Sequence, residues 1–223
     1  MKLSMKLTMK LSSLFALVAF AGCASPKLLA TPLNWNPSDD LNDLHVIVGE
    51  YHNGWGGTME ATGADMSGQV ADAFAGQQLQ VMPLTDARTN KDIGQNLQKD
   101  APRPVTTPDN VADFVTAHVG DVLKACRVPV ATAGGTRILK GELNEYFVKE
   151  DSRYDGSVVI RFTLTDAQGH ELWSGTEHGE QNKFGRSFEA DNYNENLSDA
   201  TVRAVHALLM DKAFLAAVHK GTK

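Results

Sequence analysis

The chain has 223 residues, a formal charge of −6 and 42% apolar residues, which is enough for one globular domain with a sizeable core. Without residues 1–22, whose only charges are three lysines, 18 Lys and Arg stand against 27 Asp and Glu, a charge of −9. Such a chain repels phosphate, so nucleic acid is excluded as an expected partner. The two cysteines, Cys23 and Cys126, do not make a disulfide framework.

The first residues have the pattern of an export signal. Lys2, Lys6 and Lys10 give a positive start without any acidic residue, and Leu14–Ala21 is an apolar run. A membrane-spanning helix needs roughly 20 apolar residues, so this run is too short to serve as an anchor. We therefore predict an export signal peptide over residues 1–22.

A possible anchor follows directly. In Phe20-Ala21-Gly22-Cys23, two small residues precede a cysteine, and this segment resembles the bacterial lipobox. The resemblance implies cleavage between Gly22 and Cys23 and acylation of the Cys23 thiol, with no other cofactor. Each buried CH₂ contributes about 0.8 kcal/mol, so several acyl chains make dissociation from a membrane negligible. The alternative is that Cys23 is only a small residue at an ordinary secretory cleavage site.

The residues after the cysteine are predicted to link it to the domain. Ala24, where a retained lipoprotein has Asp, implies by the sorting rule of this class an outer-membrane protein that faces the periplasm. Residues 23–43 contain three prolines among small polar residues, which predicts a flexible, extended, lipidated tether. Trp35 is the exception in this segment. Docking of Trp35 on the domain surface is favoured over a position at the membrane interface.

A single domain is predicted over residues 44–223. Leu44–Tyr51 is a β-branched run that predicts a strand, and a glycine-rich loop around Trp55 follows it. We interpret this loop as a turn whose tryptophan covers the core edge; a ligand platform is the alternative. Apolar residues recur every four positions over 64–75, which predicts a helix that ends at Gly76.

The next part is less regular. A strand over Leu79–Thr85 contains Pro83, which lacks an N–H, so the strand is predicted to lie at an edge or to break there. Residues 95–110 are polar and hold three prolines, which indicates a long loop. Asp109 then caps a helix whose apolar face includes Cys126, so this thiol is predicted to be a buried core group.

The apolar period changes to two in the last third of the chain. Alternating residues predict strands over 138–150, 157–165 and 171–179, with a hairpin turn at Asp166–Gly169. Three consecutive strands of this kind form an antiparallel meander. One face of this meander is apolar and must be covered by helices.

The final helix is the predicted cover. Asn192 and Glu195 have the spacing of a capping box at its start, and Asp211 starts a short terminal helix. A right-handed crossover from the first strand places both main helices on one face of the sheet. The predicted fold class is therefore α/β (α+β), with a mixed, mostly antiparallel sheet and helices packed on one face.

Four different short motifs lie along this order of strands and helices. They are Asp86-Ala87-Arg88, Ile93-Gly94, the Trp173 hairpin and Phe184-Gly185-Arg186-Ser187. Together with the lipobox they resemble the YajG-type outer-membrane lipoproteins, which are similar to TolB-N-like periplasmic α/β domains. The resemblance covers roughly residues 79–219 and does not explain 44–75. It implies a non-enzymatic accessory role at the outer membrane with an unidentified envelope protein as partner, and structural roles for the motif positions.

Two motifs leave alternatives open. Asp86 and Arg88 either pair with each other, which is favoured as a way to stabilise the turn, or bind an anion. Phe184–Ser187 lies near the start of the final helix, where unpaired N–H groups attract anions. The same residues also suit a plain corner between a strand and a helix.

Enzymatic activity is not predicted. The seven histidines lack metal-ligand spacing, Gly134-Gly135 precedes a strand rather than a helix, and Ser187 does not lie in a nucleophile elbow. No catalytic and no metal site is therefore assigned. The expected function is a protein-binding or envelope-assembly module. A small-ligand carrier or transport auxiliary protein would instead show an apolar pocket of about 300 Å³ or more, and a hydrolase would show convergent acids or histidines in a cleft.

Overall fold

The computed structural model of the protein describes residues 28–38, 51–53, 57–59, 67–185 and 187–220. The described residues form helices α1 Ser67–Ala73, α2 Val111–Ala125, α3 Ala190–Met210 and α4 Lys212–His219. The strands are β1 Leu29–Ala30, β2 Tyr51–Asn53, β3 Gly57–Met59, β4 Leu79–Val81, β5 Thr85–Asp86, β6 Gly94–Asn96, β7 Arg103–Thr106, β8 Val130–Ala131, β9 Arg137–Glu150, β10 Arg153–Asp166 and β11 Glu171–Phe184. The predicted signal peptide, Cys23 and Arg186 lie outside the described residues.

The predicted meander is the centre of the fold. Strands β9, β10 and β11 pair antiparallel in sequence order, with Tyr154 opposite Glu150 at one end and Leu164 opposite Trp173 at the other. The alternation buries one face of β10 completely; its members include Val158, Ile160, Phe162 and Leu164. Each of the three strands is longer than the sequence pattern alone predicts.

A β-bulge in β9 keeps the buried side chains of both halves of this strand on the side that the helices cover. Val159 pairs with Glu145 and Ile160 pairs with Leu143, so Asn144 is an extra residue in β9. Without this insertion, side chains on the two halves of the 14-residue strand would face opposite sides. With it, Leu143 and Tyr146 both point into the core.

Nine of the described strands form one mixed sheet in the order β1-β7-β6-β9-β10-β11, with β4 and β5 paired to β9 and β8 paired to β4. Helix α3 lies across β9, β10 and β11, α2 packs on α3, and α1 packs on α4. The approach of α3 requires glycine, because a Cβ at Gly179 would lie 1.8 Å from the Ala200 carbonyl oxygen. The predicted fold class, a mixed sheet with helices on one face, is confirmed.

The predicted long loop over 95–110 is wrong. Its residues contribute to β6 and β7, and β6 pairs parallel with β9 through Gly94 and Val148. Strands this short have no visible alternation, and Pro104 inside β7 argues against a strand. By contrast, the predicted strand over 79–85 is broken near Pro83 into β4 and β5, as expected.

Two predicted helix caps are also corrected. Asn110, and not Asp109, caps α2, because its side chain accepts hydrogen bonds from the N–H groups of Ala112 and Asp113. Helix α3 begins at Ala190 without a side-chain cap. Asn192 therefore does not cap α3, and a capping box with Glu195 is absent from the described helix.

Other predicted boundaries hold. Asp211 caps α4 by accepting from the N–H groups of Ala213 and Phe214. Gly76 has a φ of +72° just after α1, a backbone conformation that glycine adopts without strain. The predicted strand over 44–51 lies outside the described residues except for Tyr51, which begins the β2–β3 hairpin.

Candidate functional site

Residues 28–38, named the strap below, are fastened to the helical layer. The strap starts as β1, which pairs parallel with β7, and then runs along α3. Backbone N–H groups of alternating strap residues donate to side chains of α3: Asn34 to Asn194 (3.3 Å), Asn36 to Ser198 (3.1 Å) and Ser38 to Asp199 (2.7 Å). The flexible tether predicted over 23–43 is therefore not flexible over 28–38.

Trp35 docks the strap on α2 as well. Its ring stacks on His118 with centroids 4.1 Å apart and planes 6° apart, and it lies 6.5 Å from the ring of Phe114. Burial lowers the pKa of His118, while nearby Asp121 opposes this change. The favoured prediction, in which Trp35 docks on the domain surface, is confirmed.

A buried carboxylate lies at the end of the sheet where the strap begins. Glu150 has no exposed surface, and its carboxylate accepts hydrogen bonds from Tyr193 Oη (2.7 Å), Gln98 Nε2 (2.7 Å) and the Phe188 N–H (2.9 Å). Burial, together with the hydrogen bond to Glu150, raises the pKa of Tyr193, which keeps its hydroxyl a donor. Three donors offset the cost of burying this polar group.

Glu150, Tyr193, Gln98, Tyr154 and Arg103 form what we call the Glu150 cluster. This cluster holds residues 187 and 188 against the sheet. The N–H of Ser187 donates to Tyr154 Oη at 3.1 Å, and the guanidinium of Arg103 lies 4.0 Å above the ring of Phe188. Phe188 has a φ of +52°, a costly conformation for a residue with a side chain. The N–H groups of Ser187 and Phe188, both candidates for an anion site, are thus bound by the protein's own oxygens.

Three motif residues complete this end of the sheet. A Cβ at Gly94 would lie 2.6 Å from Tyr193 Cε1 and 2.9 Å from the Val148 oxygen, so glycine here lets Tyr193 reach Glu150. Phe184 is the last residue of β11 and is 78% exposed. Gly185 follows with a φ of +145°, which favours glycine.

Trp173 lies at the opposite end of the meander. Its indole Nε1 donates to Asp211 Oδ2 at 3.0 Å, and its ring meets Phe214 edge to face at 5.1 Å. Gly94, Phe184 and Gly185 therefore lie at one end of the meander and Trp173 at the other, while Asp86 lies beside the middle of β9. Arg186 lies outside the described residues, so its predicted structural role remains a prediction.

Asp86 and Arg88 pair with each other, which was the favoured alternative. Arg88 donates from Nε to Asp86 Oδ1 and from Nη2 to Oδ2, both at 3.0 Å, and its backbone N–H also binds Oδ1. Mainly because of this pairing, the pKa of Asp86 lies well below its ordinary range. This two-residue arrangement stabilises the turn after β5.

Glu150, Tyr193 and Cys126 are all buried. Glu150 and Tyr193 are fully buried and satisfy each other, and burial raises the pKa of Cys126 to about 11, so this thiol stays protonated. In the part of the chain that the structure describes, no three His, Cys, Asp or Glu side chains are placed to hold a metal ion. None of the described helices combines the length and apolar character needed to span a bilayer.

Sequence reasoning missed Glu150 and Asp199. A signal existed for Glu150, since after the bulge it continues the buried alternation of Tyr146 and Val148. Asp199 is also fully buried, yet it gives no such signal because its partners are the strap residue Ser38 and Gln181 of β11. Burial raises the pKa of Asp199, while its bonds to Ser38 oppose the increase.

No family model matches the chain, and no curated protein matches it. Protein XCC0632 from Xanthomonas campestris, of family DUF330, is 10% identical over 63% of this chain and 86% of its own, with a TM-score of 0.48. PelC from Paraburkholderia phytofirmans, solved as a dodecamer, is 20% identical over 59% and 83%, with a TM-score of 0.38. Lipoprotein GNA1162 from Neisseria meningitidis is 15% identical over 50% and 88%, with a TM-score of 0.27. Similarities of this size leave the function unassigned, and the YajG-type resemblance stays a prediction.

Proposed function

We propose that the protein is a lipoprotein anchored through acyl chains on Cys23 to the periplasmic face of the outer membrane, where its domain binds an envelope protein. The observation that carries this proposal is the order of the first residues. Lysines without acids, then a short apolar run, then Ala21-Gly22-Cys23 form an export signal that ends at a thiol. Ala24 after the cysteine supports the outer membrane as the location.

The polar groups of the domain support a non-enzymatic role. Asp86 is bound by Arg88 and Glu150 is bound by Tyr193, and the second pair has no exposed surface. A general acid or base must come within hydrogen-bond reach of its substrate. Glu150 and Tyr193 act instead as a fixed internal support.

A long free strand edge supports protein binding. Strand β11 has 14 residues and lies at the edge of the described sheet, where unpaired backbone groups can accept another strand. Arg203 and Asn196 of α3 donate to the carbonyls of Glu180 and Gln181, which covers one part of this strand. The other part, around the exposed residue Thr176, is the surface that we assign to a partner.

Anchoring is tested by fractionation of the wild type and of Cys23→Ala. We expect the wild type in the outer-membrane fraction with an acylated N-terminal cysteine by mass spectrometry, and the variant soluble in the periplasm. Cys126→Ala is the matched control and should stay with the membrane. A wild-type chain with a bare Cys23 thiol contradicts the anchor.

Partner binding is tested with a photo-crosslinking residue introduced at Thr176. Lys124, which is exposed on α2, is the control position. We expect one specific adduct in cells from position 176 that is absent from position 124. Equal adduct patterns at both positions contradict a partner at the β11 edge.

A small-ligand carrier is the second candidate, and one observation favours it. An open groove of about 460 Å³ lies between α1 and α4, lined in part by Asp72, Lys212 and Leu215. This volume is within the range of ligand sites. A ligand that occupies the groove should raise Tm in the wild type and not in Ala216→Trp, because Ala216 is an exposed lining residue where a large side chain fills the groove.

A further inference from the structure

The strap begins at one defined end of the sheet. Leu29 of β1 pairs with Val105, and the row of paired residues beside it passes through Asn96 and Glu150 to the first residues of β10 and the last residues of β11. We call this the Glu150 end; the Trp173 end is opposite. From the Glu150 end the strap runs away along α3, since its later residues contact progressively later residues of that helix.

The proposed anchor is therefore close to the Glu150 end. Five residue steps separate Cys23 from Leu28, the first described residue of the strap. Because a fully extended chain spans at most about 3.6 Å per residue, this distance is at most about 18 Å. The strap cannot lengthen this link without losing its bonds to α3.

Exposed apolar side chains are concentrated at the same end. The large apolar side chains with exposed surface in the described residues are Leu28 (52%), Phe184 (78%) and Met210 (43%). Leu28 and Phe184 lie at the Glu150 end, about 24 Å apart across five strand spacings. Met210, at the end of α3, lies about 30 Å away along that helix.

The exposed charges at the Glu150 end are of both signs. Lys99, Lys149 and Arg153 lie there beside Asp100 and Asp151, while Asp155 pairs with Arg153 and exposed Glu189 and Asp191 lie at the start of α3. Phenylalanine and leucine are favourable at the boundary between lipid head groups and acyl chains. The N–H groups of Ser187 and Phe188, three and four residues after Phe184, are bound by Tyr154 and Glu150 at this end.

From these observations we infer that the Glu150 end rests on the lipid bilayer that holds the anchor, with Phe184 inserted into the interface. This inference depends on the proposed acylation of Cys23. It adds a fixed orientation: the Trp173 end points away from the membrane, and β11 stands upright with its edge open to the periplasm.

The orientation is tested by spin labelling of the full acylated protein. Phe184→Cys and Met210→Cys are each made in a Cys126→Ala background, labelled with a nitroxide and reconstituted in phosphatidylethanolamine and phosphatidylglycerol vesicles. Power saturation compares accessibility to oxygen, which partitions into lipid, with accessibility to a water-soluble nickel complex. We expect a several-fold higher oxygen-to-nickel ratio at 184 than at 210.

Control measurements separate this inference from the proposed function. Mass spectrometry of the same sample reports acylation, and chains that also carry Cys23→Ala should lose the high ratio at 184. If Cys23 is acylated and both labels remain in water, the orientation is wrong while the anchor stands. A label at 184 shielded from both reagents means that protein covers Phe184, which also overturns the inference. A bare Cys23 thiol overturns both proposals.

Discussion

The two ends of the meander are built from different interactions. At the Glu150 end a buried carboxylate is surrounded by three donors, and glycine at position 94 makes room for the Tyr193 ring. At the Trp173 end two aromatic rings pack edge to face, and a single hydrogen bond joins Trp173 to Asp211. Directed bonds fix the first end in one arrangement, whereas an apolar contact tolerates replacement by side chains of similar volume.

A substitution at the Glu150 end should cost more stability than one at the Trp173 end. Removal of the buried acceptor at the Glu150 end leaves several donors without partners, and each unsatisfied buried group costs free energy. Removal of the indole N–H at the Trp173 end leaves only Asp211, which can turn to water. Removal of the Glu150 acceptor should therefore lower the free energy of unfolding much more than removal of the Trp173 indole N–H.

The largest effect is expected for Glu150→Leu. Tyr193, Gln98 and the Phe188 N–H lose their acceptor, so we expect a loss of about 3–5 kcal/mol in the free energy of unfolding, measured by denaturant titration. Glu150→Gln keeps one carbonyl oxygen and should lose less. Glu142→Leu, at an exposed position on the same strand, is the control and should change stability by less than about 0.5 kcal/mol. Equal losses for Glu150→Leu and Glu142→Leu would falsify the role of the cluster.

The meander and its helices were predictable because their signals are local. Alternating residues over 138–150 and 157–165 identify most of β9 and β10, and a stripe of apolar residues identifies α2 and α3. The bulge at Asn144 was not predictable, since a single inserted residue is visible only once the partner strand is known. Asp109 was mistaken for a cap for a similar reason: it accepts a hydrogen bond from the Leu33 N–H, far away in sequence.

The candidate site was less predictable than the fold. The phase of Glu150 with buried neighbours indicates a buried acid, but its donors come from the loop between β6 and β7, from α3 and from the corner between β11 and α3. The strap was misinterpreted because its prolines and small polar residues are typical of a linker. Its order comes from α3 side chains that lie about 160 residues later in the chain.

The second largest effect is a loss of stability in acid, caused by His206 in the half of α3 toward the Trp173 end. His206 is buried, its Nε2 lacks a hydrogen-bond partner among the described residues, and burial, with a smaller effect of Arg203, lowers its pKa from 6.5 to about 4. Above pH 6.5 both the folded and the unfolded state hold a neutral imidazole. As the pH falls toward 4, only the unfolded state takes up the proton, so stability should fall by up to about 3 kcal/mol.

Denaturant titrations at pH 7 and pH 4.5 measure this loss. His206→Leu should remove most of the difference between the two pH values, whereas His178→Leu, at an exposed position on β11, should keep it. Asp199 acts in the opposite direction, since its raised pKa means that acid relieves the cost of burying its charge. An unchanged pH dependence in His206→Leu would assign the acid sensitivity to groups other than this imidazole.

The smallest effect is expected for Trp173→Phe. The variant loses the hydrogen bond to Asp211 and part of the ring surface, but a phenyl ring can keep the edge-to-face contact with Phe214, so we expect a loss of about 1 kcal/mol. Ser174→Ala, at the exposed neighbouring position, controls for changes to the strand itself. A loss of stability for Trp173→Phe as large as that for Glu150→Leu would contradict this expectation. It would mean that the hydrogen bond to Asp211 stabilises α4 as much as the Glu150 carboxylate stabilises the Glu150 end. Because the Asp211 side chain also caps α4, hydrogen exchange of the α4 amides should then become faster together with the loss of stability, whereas a loss of surface alone leaves those amides protected.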